Sequence, residues 1–177
     1  GTYEGSGGGV YIEGGIFTMT GGEIKTNNAK NGGGVALDKG GTLELSGSGE
    51  ISGNTAGNNG LGGGICVGTE ANAVENTGTL TMTGGEISDN TAAGGGGIAV
   101  LHGTFTMSKG KVSGNTAAQK GGGIFGYYYS STDKAKGEIK VSDGEISGNT
   151  AEASGVMAGG GICSLYKLTV SGGDIKN

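Results

Sequence analysis

Apolar residues along this chain come in short alternating groups set between glycine and polar turns. The first cycle reads Val10-Tyr11-Ile12, Phe17-Thr18-Met19 and Glu23-Ile24-Lys25. The third reads Ile65-Cys66-Val67, Leu80-Thr81-Met82 and Glu86-Ile87-Ser88, and the fourth Ile98-Ala99-Val100, Phe105-Thr106-Met107 and Lys111-Val112-Ser113. Groups of this length, bounded by turn residues, predict strands. Successive residues of a strand face opposite sides, so the Ile/Val, Leu/Phe/Met and Ile/Val positions share an inward face. The alanine after each Asn-Thr pair joins that inward set.

The cycle itself repeats. Ile51-Ser52-Gly53-Asn54-Thr55-Ala56 precedes Gly62-Gly63-Gly64-Ile65, and close copies end in Gly95-Gly96-Gly97-Ile98, Gly121-Gly122-Gly123-Ile124 and Gly159-Gly160-Gly161-Ile162. The Gly-Gly-Gly-(Ile/Val) marker appears six times at intervals of 25 to 38 residues, a period that signals a solenoid. Strands this short are stable only if the coils stack, with neighbours ~4.8 Å apart. The expected fold is therefore all-β: a parallel β-helix of about six coils, each of three short strands, forming three sheets. The chirality of crossover connections makes it right-handed. Residues 1–177 read as one such segment, cut from a longer surface protein.

Asn27, Asn54, Asn90, Asn115 and Asn149 each follow an inward aliphatic by three residues. Stacked amides at a corner can form a hydrogen-bonded ladder; alternatively, asparagine serves there because it tolerates a left-handed turn. The triple glycines fit a tight corner and close approach between coils. They do not match a phosphate-binding loop, since no helix follows them.

Composition changes this picture little. Forty-six glycines would suggest disorder, but their fixed register overrules that. The net charge is −5 and no arginine is present, which argues against nucleic-acid binding. No run approaches the ~18 apolar residues of a membrane span. Two cysteines at equivalent repeat positions, Cys66 and Cys163, lie three coils apart, too far to bridge.

The pattern (Ile/Val)-x-x-Asn-x-Ala followed by Gly-Gly-Gly-(Ile/Val) resembles the paired repeats of the chlamydial polymorphic outer membrane proteins, which carry Phe-x-x-Asn and Gly-Gly-Ala-(Ile/Leu/Val). The match runs from Gly7 to Ile175, with Ile or Val in place of Phe and Gly in place of Ala. The resemblance implies a pectate-lyase-like right-handed β-helix displayed outside a bacterial cell, as adhesins and autotransporter passengers are.

Candidate chemistry sits in insertions, since a rigid scaffold commonly carries its binding residues on loops. Two enter after a first strand, Gly68 to Gly78 and Gly126 to Gly137. The second holds Tyr127, Tyr128 and Tyr129, half of the six tyrosines. These either contact a sugar or protein partner or fold back over the side of the helix. Beside them an outward column runs through Tyr11, Ala36, Cys66, Ala99, Phe125 and Cys163, which forms either an apolar contact surface or a face covered by a neighbouring loop or domain. Tyr11, Phe125 and Tyr127 to Tyr129 are the ligand-binding candidates. A further column, Glu23, Glu50, Glu86, Lys111, Glu145 and Asp174, reads as solvated charge or a cation site. The lone His102 reads as a solvated turn residue.

No catalytic set, metal site or cofactor is expected. The expected role is a non-enzymatic cell-surface or secreted scaffold whose loops bind a host or environmental glycan or protein, with end-to-end self-association through open coil ends. The competing reading is a polysaccharide-active lyase or glycosidase. The fold permits it, but the chain lacks arginine as a base and tryptophan for a sugar subsite.

Overall fold

The computed structural model describes residues 5–57, 59–69, 77–129, 137–153 and 158–176. Among them every element is a strand and every strand pairing is parallel. The first sheet has six strands in chain order: β1 (Val10–Glu13), β5 (Val35–Asp38), β9 (Ile65–Val67), β12 (Ile98–Val100), β15 (Ile124–Gly126) and β19 (Ile162–Ser164). Equivalent residues meet across it, Ile65 beside Ile98, Ile98 beside Ile124, Ile124 beside Ile162. A connection that returns to pair parallel, one repeat later, with its own equivalent is a parallel β-solenoid.

The second sheet carries β2 (Ile16–Met19), β6 (Gly41–Leu45), β10 (Gly78–Ser88), β13 (Gly103–Ser113), β16 (Gly137–Val141) and β20 (Lys167–Val170). It also includes β3 (Glu23–Lys25), β7 (Glu50–Ser52), β17 (Glu145–Ser147) and β21 (Asp174–Lys176). Here the structure departs from the expected partition. The second and third groups of each repeat belong to one sheet, because β10 and β13 run through the bend without breaking. Register shifts between Met82 and Glu86 absorb the bend, and Gly85 and Gly110 take it at φ 74° and 101°. A bulge of this kind re-aims a strand while its ladder continues on either side.

The third sheet comes from the Thr-Ala pairs after each asparagine, which the sequence presents as a corner. It orders β18 (Thr150–Ala151), β14 (Thr116–Lys120), β11 (Thr91–Gly94), β8 (Thr55–Ala56) and β4 (Asn28–Ala29). The shaft between the sheets is filled by Leu43, Leu80, Phe105 and Ile139 from one rank and Ile51, Ile87, Val112 and Ile146 from another, all fully buried. Each such side chain contributes about 1.5–3 kcal/mol by leaving water. The terminal strands are the exception: Ile16, Leu168, Val170 and Ile175 remain exposed.

At the corner before the third sheet, five amides form one continuous chain. The side-chain oxygen of Asn90 accepts the backbone N–H of Asn54 at 2.9 Å and its Nδ2 at 3.0 Å. Asn90 Nδ2 in turn donates to Asn115 Oδ1 at 3.0 Å and back to the Ile51 carbonyl at 2.9 Å. Asn27 to Asn54 and Asn115 to Asn149 repeat the link. Every donor and the acceptor of a central amide is thus satisfied, as a buried amide requires.

The triple glycines serve this ladder. A Cβ on Gly96 would lie 2.5 Å from the carbonyl oxygens of Gly122 and Thr116, and one on Gly97 would meet the Asn115 amide at 3.0 Å. The backbone of one coil therefore packs directly on the next.

Replacing Asn90 by Ala strands two donors of Asn54 and one bond of the Ile51 carbonyl. With about 1–3 kcal/mol for each buried group left unpaired, urea unfolding should show a loss of about 3 kcal/mol or more. Asn27→Ala, at the half-buried end of the ladder, should cost clearly less.

Candidate functional site

The central residue of each first-sheet strand points away from the shaft, and the sequence presents that column as solvent-facing. The structure corrects this. Ala36, Cys66, Ala99, Phe125 and Cys163 are buried; Tyr11, 46% exposed, stands at the open end. The cover comes from the chain itself: Cys66, Ala99 and Leu101 form a second apolar cluster against which Leu61 and Tyr127 pack. A parallel sheet covered on both faces is the usual solution to such an apolar column.

The tyrosines build part of that cover, and strand alternation sorts them. Tyr127 extends the first sheet, its N–H donating to the Val100 carbonyl at 3.0 Å. Its ring stacks on Phe125 with centroids 5.5 Å apart and planes 21° apart. Tyr129 meets Tyr127 edge-on at 5.0 Å. Tyr128 goes the opposite way, packing against the main core and the Tyr166 ring at 5.8 Å. The Tyr166 hydroxyl donates to the Leu101 carbonyl.

Phe125, Tyr127 and Tyr129, with Leu61, wall a cleft of about 270 Å³ at the corner between the first and third sheets. Gly94 forms its floor; a Cβ there would lie 2.9 Å from the Phe125 ring and 3.0 Å from Leu61. Asn59, Gln119 and Lys120 bring polar groups to the same cleft. Asn59 holds a left-handed turn at φ 61°, a conformation asparagine tolerates. That turn is tied down on both sides by Gly57 N–H to the Ala29 carbonyl, Ala93 N–H to the Gly60 carbonyl and Leu61 N–H to Asn31 Oδ1. Lys120 closes β14, and its carbonyl accepts the Gly95 N–H.

Of the five ligand candidates from the sequence, the structure brings three together: Phe125, 4% exposed, and the half-open Tyr127 and Tyr129. Tyr128, partly buried, turns toward the core and does not line the cleft. Tyr11 lies four strand spacings from Phe125, about 19 Å; its hydroxyl donates to Asp38 Oδ2 at 2.9 Å. Asp38, a buried carboxylate whose register partner in the preceding coil is the exposed Glu13, also accepts Thr69 at 2.6 Å and the Lys39 N–H at 3.0 Å. The remainder of the two insertions, residues 70–76 and 130–136, lies outside the described residues.

The other candidate features are resolved by register and burial. His102 is buried, not solvated; its backbone N–H and carbonyl both join the coil stack, to Val67 and Gly78. The acidic column is in register from Glu23 through Glu50, Glu86, Lys111 and Glu145 to Asp174. Glu50, Glu86 and Lys111 border a second depression of about 320 Å³ floored by glycines. Ser113 donates to Glu86 at 2.9 Å, and a bond from Ser147, then the nearby Lys176 and Lys111, hold Glu145 below the usual carboxylate range. No group of three or more His, Cys, Asp or Glu suited to a metal ion occurs among the described residues.

No protein family, curated protein or solved structure matches this chain.

Cys66 and Cys163 are thiols separated by three strand spacings. Burial, with Asp38 second, pushes Cys66 far up; burial also raises Cys163, against the opposing charge of Lys120. Since the thiolate is the nucleophile, alkylation of the native protein near pH 8 should mark Cys163 first. Cys66 should react only as the protein unfolds, as peptide mass mapping would show. Equal rates would mean that the Leu61–Tyr127 cover opens in the folded state.

Proposed function

We propose that this chain is a non-enzymatic, adhesin-like scaffold displayed outside a bacterial cell, and that it binds a host or environmental glycan or protein. The observation that carries the reading is the aromatic cleft. Three rings already packed on one another, beside two amides and a lysine, offer amphipathic contact area at low ordering cost. They sit on a solenoid whose backbone is hydrogen-bonded coil to coil, so the site is preorganised. The repeat's resemblance to surface-displayed β-helix proteins supports the extracellular placement.

A glycan array read beside a turnover assay on pectin, alginate and host glycans tests the reading. Retention without turnover is expected; turnover would replace it with a carbohydrate-active enzyme. Tyr129→Ala, which removes an exposed ring, should weaken retention about tenfold, the equivalent of about 1.4 kcal/mol, with little change in stability. Tyr128→Ala should do the reverse, lowering the unfolding midpoint while the folded protein binds as before.

A further inference from the structure

Resting on the glycan form of that reading, we infer that the cleft between Tyr129 and Lys120 selects a sugar carrying a carboxylate, a uronate or a sialate. The cleft's size comes first. At about 270 Å³ it lies just below the ~300–1,000 Å³ of sites for drug-sized ligands, which suits one pyranose ring with its linkage. A pyranose has an apolar C–H face and a rim of hydroxyls. The Tyr127 and Tyr129 rings, set 81° apart, supply a corner for the first, and the Asn59 and Gln119 amides supply donors and acceptors for the second. Burial raises the pKa of Tyr129 above its ordinary value, so its hydroxyl remains a donor at neutral pH.

Charge then narrows the class. Lys120 is the charged group lining the cleft, and it forms no ion pair among the described residues. Lys25, Lys39, Lys140, Lys167 and Lys176 are paired with carboxylates, while Lys30, Lys109 and Lys111, like Lys120, form no ion pair among the described residues; what sets Lys120 apart is its place beside the rings of the cleft. On a chain of net charge −5, the ammonium of a partly buried lysine beside three aromatic rings is complementary to an anion and repels the cations that tyrosine faces would otherwise attract. A neutral sugar would leave that ammonium without a partner in a partly dehydrated cleft. A carboxylate at the edge of the ring pairs with it while the ring stacks.

Saturation-transfer NMR titrations at low salt, with methyl glucuronide against methyl glucoside and sialyllactose against lactose, test the inference. The wild-type protein should bind at least one acidic member about tenfold more tightly than its neutral counterpart. Which acidic sugar binds identifies the source of the carboxylate. Lys120→Gln should abolish the preference while retaining neutral-sugar binding, and Lys120→Arg should keep it; circular dichroism of each variant confirms the fold. Equal binding of acidic and neutral sugars by the wild type, or a preference that survives Lys120→Gln, overturns the carboxylate assignment and leaves glycan binding standing. No binding of any of the four sugars, with Tyr129→Ala indistinguishable from wild type on the array, overturns both.

Discussion

The asparagine ladder is the constraint on which this structure turns. A buried amide without partners is costly, and these are placed so that each can be satisfied only by the next coil at the same height. Asn54 and Asn90 lie 36 residues apart in sequence yet share two bonds, so insertions between them are tolerated only if the chain returns to register. That requirement explains the unequal repeat lengths. The glycines at the neighbouring corner obey the same geometry, since a side chain on Gly97 would displace the Asn115 amide. Ladder and corner therefore hold one another to the spacing of parallel strands.

With the coil spacing fixed, the outer face of the first sheet becomes the region where the molecule can vary. The inner face must fill the shaft, and it does so mainly with aliphatics, together with Phe105. The outer face carries Ala99, Cys66 and Phe125 under a cover assembled from Leu61, Leu101 and Tyr127. That cover leaves a gap at Gly94, where a side chain would strike the Phe125 ring. The cleft is thus a place where the cover of a buried face stops, with rings exposed on its margin.

Much of the fold was legible because stacking repeats the same residue in every coil. The Gly-Gly-Gly marker, the asparagines and the inward aliphatics are visible in one sequence for that reason, and the three parallel sheets follow from them. The division of strands among sheets was less legible, because whether Gly84-Gly85 breaks a strand or bends it depends on the neighbouring ladder. The cleft was harder still. Tyr127, Tyr128 and Tyr129 announce themselves as a cluster beside Phe125, but only the structure turns Tyr128 away from the other rings. Asn59 and Leu61 come from one coil and Gln119 and Lys120 from another, with no sequence pattern to join the two pairs. Asp38 shares its register with Glu13, and periodicity does not reveal that only the former is buried.

Each ladder amide turns its carbonyl toward the preceding coil, while the backbone N–H at the same position points to the following one. The dipoles add along the axis, as they do in a helix. The two faces of the stack are consequently unlike, one presenting acceptors and the other donors at this corner. Each coil therefore meets the one before it in a single polarity, its acceptors set against that coil's donors.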